Sequence, residues 1–357
     1  MTQLQERVLR PSLLKAVADP ILQRQWMDTA VPVMVLVAVS IALAATIPDY
    51  FGAANVQQIL RGFAPPAFVA IAMGWVIFAG GIDLSVGAVF AVANFVALMT
   101  YGVLALPFWA ALGIVLLVGA TIGAANGLLI AYVKTRPFLT TIVMLIILRA
   151  CYEKLVAAYT SDIANVNMEG AVWDALGGGR FAGIPVSFLC LLVCGVLAHL
   201  YITRCRGGMH MMAVGSSRKA ARHAGISVPQ VIFKAYVVSA VLASIAGFLY
   251  AARQNSVGSG TGLNWEINAL SAVVLGGNSL AGGRGSIART LIGALTIFLL
   301  VNGLVQIGVH GSLTSTLVGG ILLCAVGFNV QWVKHRSQRA RQRAKPVADL
   351  LPAPDAG

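Results

Sequence analysis

Residues 204–234 read RCRGGMHMMAVGSSRKAARHAGISVPQVIFK and form a polar stretch between two apolar runs. Six of its residues are basic and none is acidic: Arg204, Arg206, Arg218, Lys219, Arg222 and Lys234. Most of the sequence on either side is apolar enough to lie in a membrane, so this stretch is where the chain can contact a soluble partner. It also fixes orientation, because basic loops stay on the cytoplasmic side.

The composition is typical of a membrane protein. Of the 357 residues, 58% are hydrophobic and 10% are charged, and the mean hydropathy is +0.84. A soluble domain carries about 25% charged residues. The net charge of +13 is concentrated in residues 204–234 and in the two tails, which is a positive-inside pattern and not a nucleic-acid surface. We therefore predict an all-α integral membrane protein that binds no nucleic acid.

We predict ten membrane-spanning helices from apolar runs of about 20 residues. They cover residues 29–48, 63–79, 82–101, 107–132, 138–158, 185–203, 233–252, 266–281, 286–307 and 312–331. The basic tails at residues 1–28 and 332–357 both belong in the cytoplasm, which requires an even number of spans. The transmembrane domain then covers residues 29–331, with residues 204–234 as a cytoplasmic loop.

Polar residues inside or at the ends of these spans are candidates for lining a translocation pathway: Asp83, Asn94, Asn126, Glu266, Asn278 and Asn302. Each has a simpler role as a packing hydrogen bond, because a polar group in a membrane must find a partner. Asp83 (or its neighbour Ser85) and Glu266 open spans, so they can instead accept the free N–H groups of a first helical turn. A proton-coupling carboxylate is the functional alternative.

Gly119, Gly123 and Gly127 follow one another at four-residue spacing within the fourth predicted span. Residues four apart lie on the same face of a helix, so the three glycines form one smooth stripe. Such a stripe lets a neighbouring helix approach closely, and pore lining is the less simple alternative. We expect a tightly packed helix pair at this stripe.

Two short segments suggest an internal repeat. Asn126-Gly127-Leu128 leads to a break at Pro137, and Asn302-Gly303-Leu304 leads to a break at Gly311. The predicted topology puts the first break inside and the second outside, which would make the two halves inverted. Inverted halves are common in transporters, and here they stay an open alternative to a chain without repeats.

No motif for catalysis or metal binding is present in the sequence. The glycine-rich segment GGNSLAGGRGS at residues 276–286 lacks the Gly-Lys-Ser/Thr ending of a P-loop, so a bend between two helices is the better interpretation. The five histidines are scattered, and the five cysteines have no ligand spacing. We expect no enzymatic activity, no metal and no bound cofactor in this chain.

Three long motifs resemble the ribose-type permease subunits of bacterial ABC importers. They are GGIDLSVGAVFAVANFVAL at 80–98, AVGSSRKAARHAGISV at 213–228 and INALSAVVLGGNSLAGGRGSIARTLIGAL at 267–295, in which Arg289 stands where a small residue is expected. The resemblance implies a multi-pass protein of the bacterial inner membrane. It also implies a second permease copy (identical or not), an ATP-binding cassette subunit that uses ATP and Mg, and a periplasmic solute-binding protein.

The resemblance further implies that a short helix in a cytoplasmic loop docks into the ATPase. Ser216–Ala224 can form this helix, because Ser216 or Ser217 suits the N-cap and Gly225 suits the stop. The candidate coupling residues are Gly215, Ser216, Ser217, Arg218, Ala220, Ala221, Arg222, Ala224 and Gly225, of which the alanines permit close docking. The alternative is that the charges only set orientation and bind anionic membrane lipid.

The resulting functional prediction is import of a small hydrophilic solute, most simply a monosaccharide. Branched-chain amino-acid permeases are broadly similar, so an amino acid is the alternative substrate. An ion-coupled secondary transporter is the alternative class, and it would need Asp83 or Glu266 as the titrating group.

Overall fold

The computed structural model describes residues 27–309, 311, 313–320, 323 and 327, and within them the chain is almost entirely helical. The long helices are α1 (Met27–Thr46), α2 (Ala53–Phe78), α3 (Val86–Ala97), α4 (Phe108–Ala131), α5 (Pro137–Ala164), α7 (Val186–Arg204), α10 (Val228–Gln254) and α12 (Ile287–Gln306). The short ones are α6 (Ala171–Gly177), α8 (Arg206–Ser216), α9 (Arg218–His223) and α11 (Trp265–Leu275). A π-helical turn, Leu98–Val103, extends α3.

Seven helices in the described part of the chain are long and apolar enough to cross a membrane, which confirms the all-α membrane fold. They are α1, α2, α3 with its π-helical extension, α4, α7, α10 and α12. The fifth predicted span, α5, has 28 residues but includes Arg149, Glu153 and Lys154. The eighth, α11, has only 11 residues. The count of ten stays a prediction, since the tenth span falls partly outside the described residues.

A small cap joins α5 to α7. It consists of α6 and a two-stranded antiparallel hairpin of β1 (Arg180–Phe181) and β2 (Ile184–Pro185), in which Arg180 pairs with Pro185 and Phe181 with Ile184. Ala182 and Gly183 turn the hairpin with positive φ angles of 50° and 80°. The ring of Trp173 in α6 is fully buried and stacks on Tyr101, so the cap is fixed to the helical bundle.

The centre of the bundle is formed by α2 and α10, which pack on each other and on α3, and α10 also packs along α4. The glycine stripe of α4 makes this last contact possible, as predicted. A Cβ at Gly123 would lie 2.8 Å from the Cα of Val237, and one at Gly127 would lie 2.9 Å from the ring of Phe233. Both distances are too short for a side chain, so α4 and α10 are in direct backbone contact.

Candidate functional site

The predicted coupling helix is present in a modified form. Instead of one helix over Ser216–Ala224, α8 ends at Ser216 and α9 runs from Arg218 to His223. Ser217 lies between them in extended conformation, and its Oγ accepts the backbone N–H of Ala220 at 3.2 Å. Gly225 follows with φ of 78°. The predicted cap at Ser217 and stop at Gly225 are confirmed, with Ala224 as the C-cap, and the alternative cap at Ser216 is wrong because Ser216 ends α8.

Most of the segment from Ser216 to Gly225 is exposed, which leaves its basic side chains available to a partner. We refer to residues 216–225 as the coupling segment. Ala221 is the exception, because it is only 3% exposed and lies in an apolar cluster with Val214 and Tyr236. The prediction that all three alanines face a docking partner is therefore wrong for Ala221, whereas Ala220 and Ala224 are exposed. Ala221 attaches the segment to the membrane domain.

Glycines from three distant parts of the chain meet beneath the coupling segment. We call Gly80, Gly215, Gly282 and Gly283 the glycine junction. A Cβ at Gly80 would lie 3.2 Å from the Cα of Gly215, and one at Gly282 would lie 2.7 Å from the Cα of Gly80. Gly80, Gly282 and Gly283 also have positive φ angles of 79°, 85° and 69°. Only glycine combines these conformations with so close an approach.

Hydrogen bonds connect the same three parts. The N–H of Gly283 donates to the carbonyl of Phe78 at 3.1 Å, and Ser216 Oγ donates to the carbonyl of Gly283 at 3.3 Å. Arg218 Nη2 reaches the carbonyl of Gly80, also at 3.3 Å. The coupling segment is therefore joined to the break between α2 and α3 and to the turn at 276–286, the predicted bend between α11 and α12. A displacement of the segment must displace both.

Asp83 and Asn126 belong to one buried polar cluster near the start of α3. The Asp83 carboxylate is 1% exposed and accepts Ser85 N–H at 3.0 Å, Ser85 Oγ at 2.5 Å and Ser239 Oγ at 3.1 Å. Asn126 donates its amide to Ser85 Oγ at 3.0 Å. The hydroxyl of Ser85 donates to the carboxylate and does not accept a backbone N–H, so the expectation that Ser85 caps the helix is wrong. Asp83 joins α3 to α10, since its charge is satisfied by donors from both.

The other predicted pathway residues lie in separate places. Asn94 is fully buried, and neither atom of its amide has a partner among the described residues. Asn278 holds the turn at 276–286 by accepting Ser286 N–H at 2.8 Å and donating to Thr290 Oγ1 at 3.1 Å. Asn302 accepts the hydroxyl of Tyr50 at 2.9 Å. Glu266 lies in the first turn of α11 against Gly87, where a Cβ would meet its carboxylate. A pathway role for each stays a prediction.

The loop between α10 and α11 enters the bundle. After α10 ends at Gln254, residues 255–264 turn back and bring the ring of Trp265 beside Tyr250 and onto Phe90 at 4.0 Å. The carbonyl of Gly258 accepts the Tyr152 hydroxyl at 2.9 Å, and that of Thr261 accepts Arg149 at 2.7 Å.

The backbone of this loop is irregular, which restricts the surroundings that it can have inside the bundle. Irregular backbone at membrane depth is tolerated where it is buried in protein or lines a wet cavity. Ser256, Ser259 and Gly260 are exposed, whereas Gly262 is buried against α3. Two features of the sequence could have indicated this loop: the alternating glycines at 258, 260 and 262, and the shortness of the eighth predicted span.

Comparisons with known proteins agree with this architecture. Residues 55–326 match the family described as branched-chain amino acid transport system / permease component. The ribose import permease of Escherichia coli K12 is 34% identical over 297 residues, which cover 82% of this chain and 91% of the relative. The fructose import permease of Bifidobacterium longum is 33% identical over 288 residues, covering 78% and 80%.

A third relative has the longest of these alignments. The galactofuranose transporter permease of Escherichia coli K12 is 30% identical over 331 residues, which cover 89% of this chain and 94% of the relative. No solved structure matches the chain. The family match and these near full-length relatives do not favour an ion-coupled transporter. They show that this chain belongs to the family of multi-pass inner-membrane permease subunits of ABC importers, which work with an ATPase and a binding protein.

Proposed function

We propose that this chain imports a monosaccharide, with both termini in the cytoplasm and a second permease copy completing the pathway. The coupling segment carries the proposal, because it is basic, exposed and joined to the membrane domain by one buried alanine and the glycine junction. This chain hydrolyses no ATP and binds no cofactor; ATP and Mg bind to the partner ATPase. The predicted division into tails 1–28 and 332–357 around the domain 29–331 belongs to the same proposal.

The proposed mechanism starts with closure of the ATPase around ATP. Closure moves the coupling segment, and the glycine junction passes this movement to the start of α3 and to the turn at 276–286. Helix α11 ends at that turn and α12 begins after it, so the movement reaches the centre of the bundle. Because ATP binds the two states of the complex with different affinity, it shifts the permease between outward- and inward-open forms.

The names of the relatives support a sugar as the substrate. The ribose, fructose and galactofuranose permeases each cover 78% or more of this chain. The family description names branched-chain amino acids, which keeps an amino acid as the alternative. Substrate choice is tested by identifying the solute that the cognate binding protein retains.

The coupling role is tested by replacing Ser216–Gly225 with a flexible linker of equal length. We expect the ATPase subunit to stop co-purifying and ATP-driven uptake into proteoliposomes to cease. The matched control replaces the exposed hairpin residues 180–184, which should preserve both. ATP-driven uptake that survives replacement of the coupling segment would show that the ATPase acts elsewhere.

A further inference from the structure

A cavity of about 200 Å³ lies between α2, α10, α11 and α12. This volume is about seven times the ~30 Å³ that one water occupies in the liquid, so it can hold a small solute. Its lining includes the apolar side chains Ile297 and Phe298 and the polar side chains Tyr250, Arg253 and Asn268.

Arg253 is not paired within the described part of the chain. Its side chain is exposed, and it makes neither an ion pair nor a hydrogen bond with a described residue. Gly62 leaves the room for its guanidinium, because a Cβ there would lie 3.2 Å from Nη1 and 2.8 Å from the ring of Phe298. Arg253 is the penultimate residue of α10, where a long basic side chain can reach polar surroundings.

A second arginine adds to the same local charge. Arg61 precedes Gly62 on α2, and its positive charge acts on Arg253. Its Nε is buried and has no hydrogen-bond partner among the described residues. Guanidinium groups only donate hydrogen bonds, so Arg253 in the cavity lining favours a ligand that is rich in acceptor oxygens.

Aromatic rings complete the cavity. Trp265 is fixed on one side by Phe90, at 4.0 Å between ring centroids, and its edge faces Tyr250 at 5.8 Å. Both Trp265 and Tyr250 line the cavity. Such rings offer an apolar surface with a polar end, which suits the C–H face of a sugar ring. The Asn268 amide has no partner among the described residues and can pair with a hydroxyl.

We propose that this cavity is a solute site of the permease itself, which binds one monosaccharide between the Arg253 guanidinium, the Asn268 amide and the Trp265 ring. This inference rests on the proposed import of a sugar and adds the residues that hold it. Neither Arg253 nor Trp265 was predicted from the sequence as a pathway residue. Ala272 of α11 also lines the cavity, so the site is directly attached to the helix that follows the coupling movement.

The site is tested on the complete permease–ATPase complex in lipid nanodiscs, without binding protein or ATP. Saturation-transfer NMR with D-ribose and D-fructose detects weak binding directly. We expect at least one sugar to give signals with the wild type and the Arg253→Gln variant to lose them. Import at saturating binding protein should fall about tenfold, the effect of losing one hydrogen bond to a charged donor. Arg180→Gln, which removes an exposed charge from the hairpin, should change neither.

Asn268→Ala provides a second variant in case Arg253→Gln fails to assemble with the ATPase. Unchanged sugar signals and import rates in an assembled variant of either kind would overturn the site. Absence of any sugar signal with the wild type would overturn it as well. Sugar binding by a wild-type complex that imports neither sugar would instead contradict the proposed function and leave the site supported.

Discussion

Gly215→Ala should uncouple the permease from its ATPase, because Gly215 is pressed against two backbone segments at once. A Cβ there would clash with the carbonyl of Phe78 and would lie 2.6 Å from the N atom of Gly283, where ordinary contact begins at 3.4 Å. The Gly283 segment must move away by about 0.8 Å and the Phe78 carbonyl must move further, which also strains the 3.1 Å hydrogen bond from Gly283 to Phe78. Overpacking of this kind costs about 1–3 kcal/mol.

A cost of this size, when it falls on one of two transport states, changes their ratio roughly 5- to 150-fold. We therefore expect ATP-driven import by reconstituted complexes to fall at least about fivefold. The ATPase should still co-purify, because Gly215 lies beneath the exposed coupling segment and not in it. Gly113→Ala is the matched control, since Gly113 is also a helical glycine but has no atom within 4 Å of the added Cβ. Import by Gly215→Ala at the rate of this control would refute the junction as the coupling element.

Three further changes test single contacts. Ala221→Asp should prevent accumulation of the folded permease, since the charge would enter an apolar cluster, whereas Ala220→Asp should fold but lose the ATPase in co-purification. Ser217→Ala should destabilise α9 by about 1 kcal/mol and speed amide exchange there. Ser217→Asn should restore protection, because a serine or an asparagine side chain at this N-cap can accept the N–H of Ala220. Asp83→Asn should lower the free energy of unfolding by about 1–3 kcal/mol, because it removes an acceptor for Ser85 and Ser239. Import by this variant should stay insensitive to a proton ionophore. Ionophore-sensitive import by the wild type would contradict the ABC mechanism.

Local features of this chain were predictable from the sequence. Apolar runs gave the long helices, since a membrane requires a fixed length of apolar helix. The Ser217 cap and the Gly225 stop were predictable because both depend on neighbouring residues only. The stripe of Gly119, Gly123 and Gly127 depends on helix periodicity alone, and the structure places it against α10.

Features that depend on distant contacts were not predictable. Ala220 and Ala221 look alike in the sequence, and only the packing of α9 on Val214 and Tyr236 decides which one is buried. The glycine junction joins positions about 65 to 200 residues apart, and no local pattern shows that they meet. The loop at 255–264 shows its alternating glycines in the sequence, but its return into the bundle follows only from its contacts with α5 and α3.

Asn278 explains how the junction and the cavity can act together. It was predicted to line a pathway, yet its amide joins Val273 of α11 to Thr290 of α12 and accepts the N–H of Ser286. Backbone contact supports the same connection, since a Cβ at Gly293 would lie 2.7 Å from the N atom of Gly276. The turn therefore makes α11 and α12 one rigid unit. Because α11 spans only about 16 Å, a shift of Gly283 at one end reaches Trp265 at the other. A movement of the coupling segment therefore reaches the proposed sugar cavity through this one rigid unit.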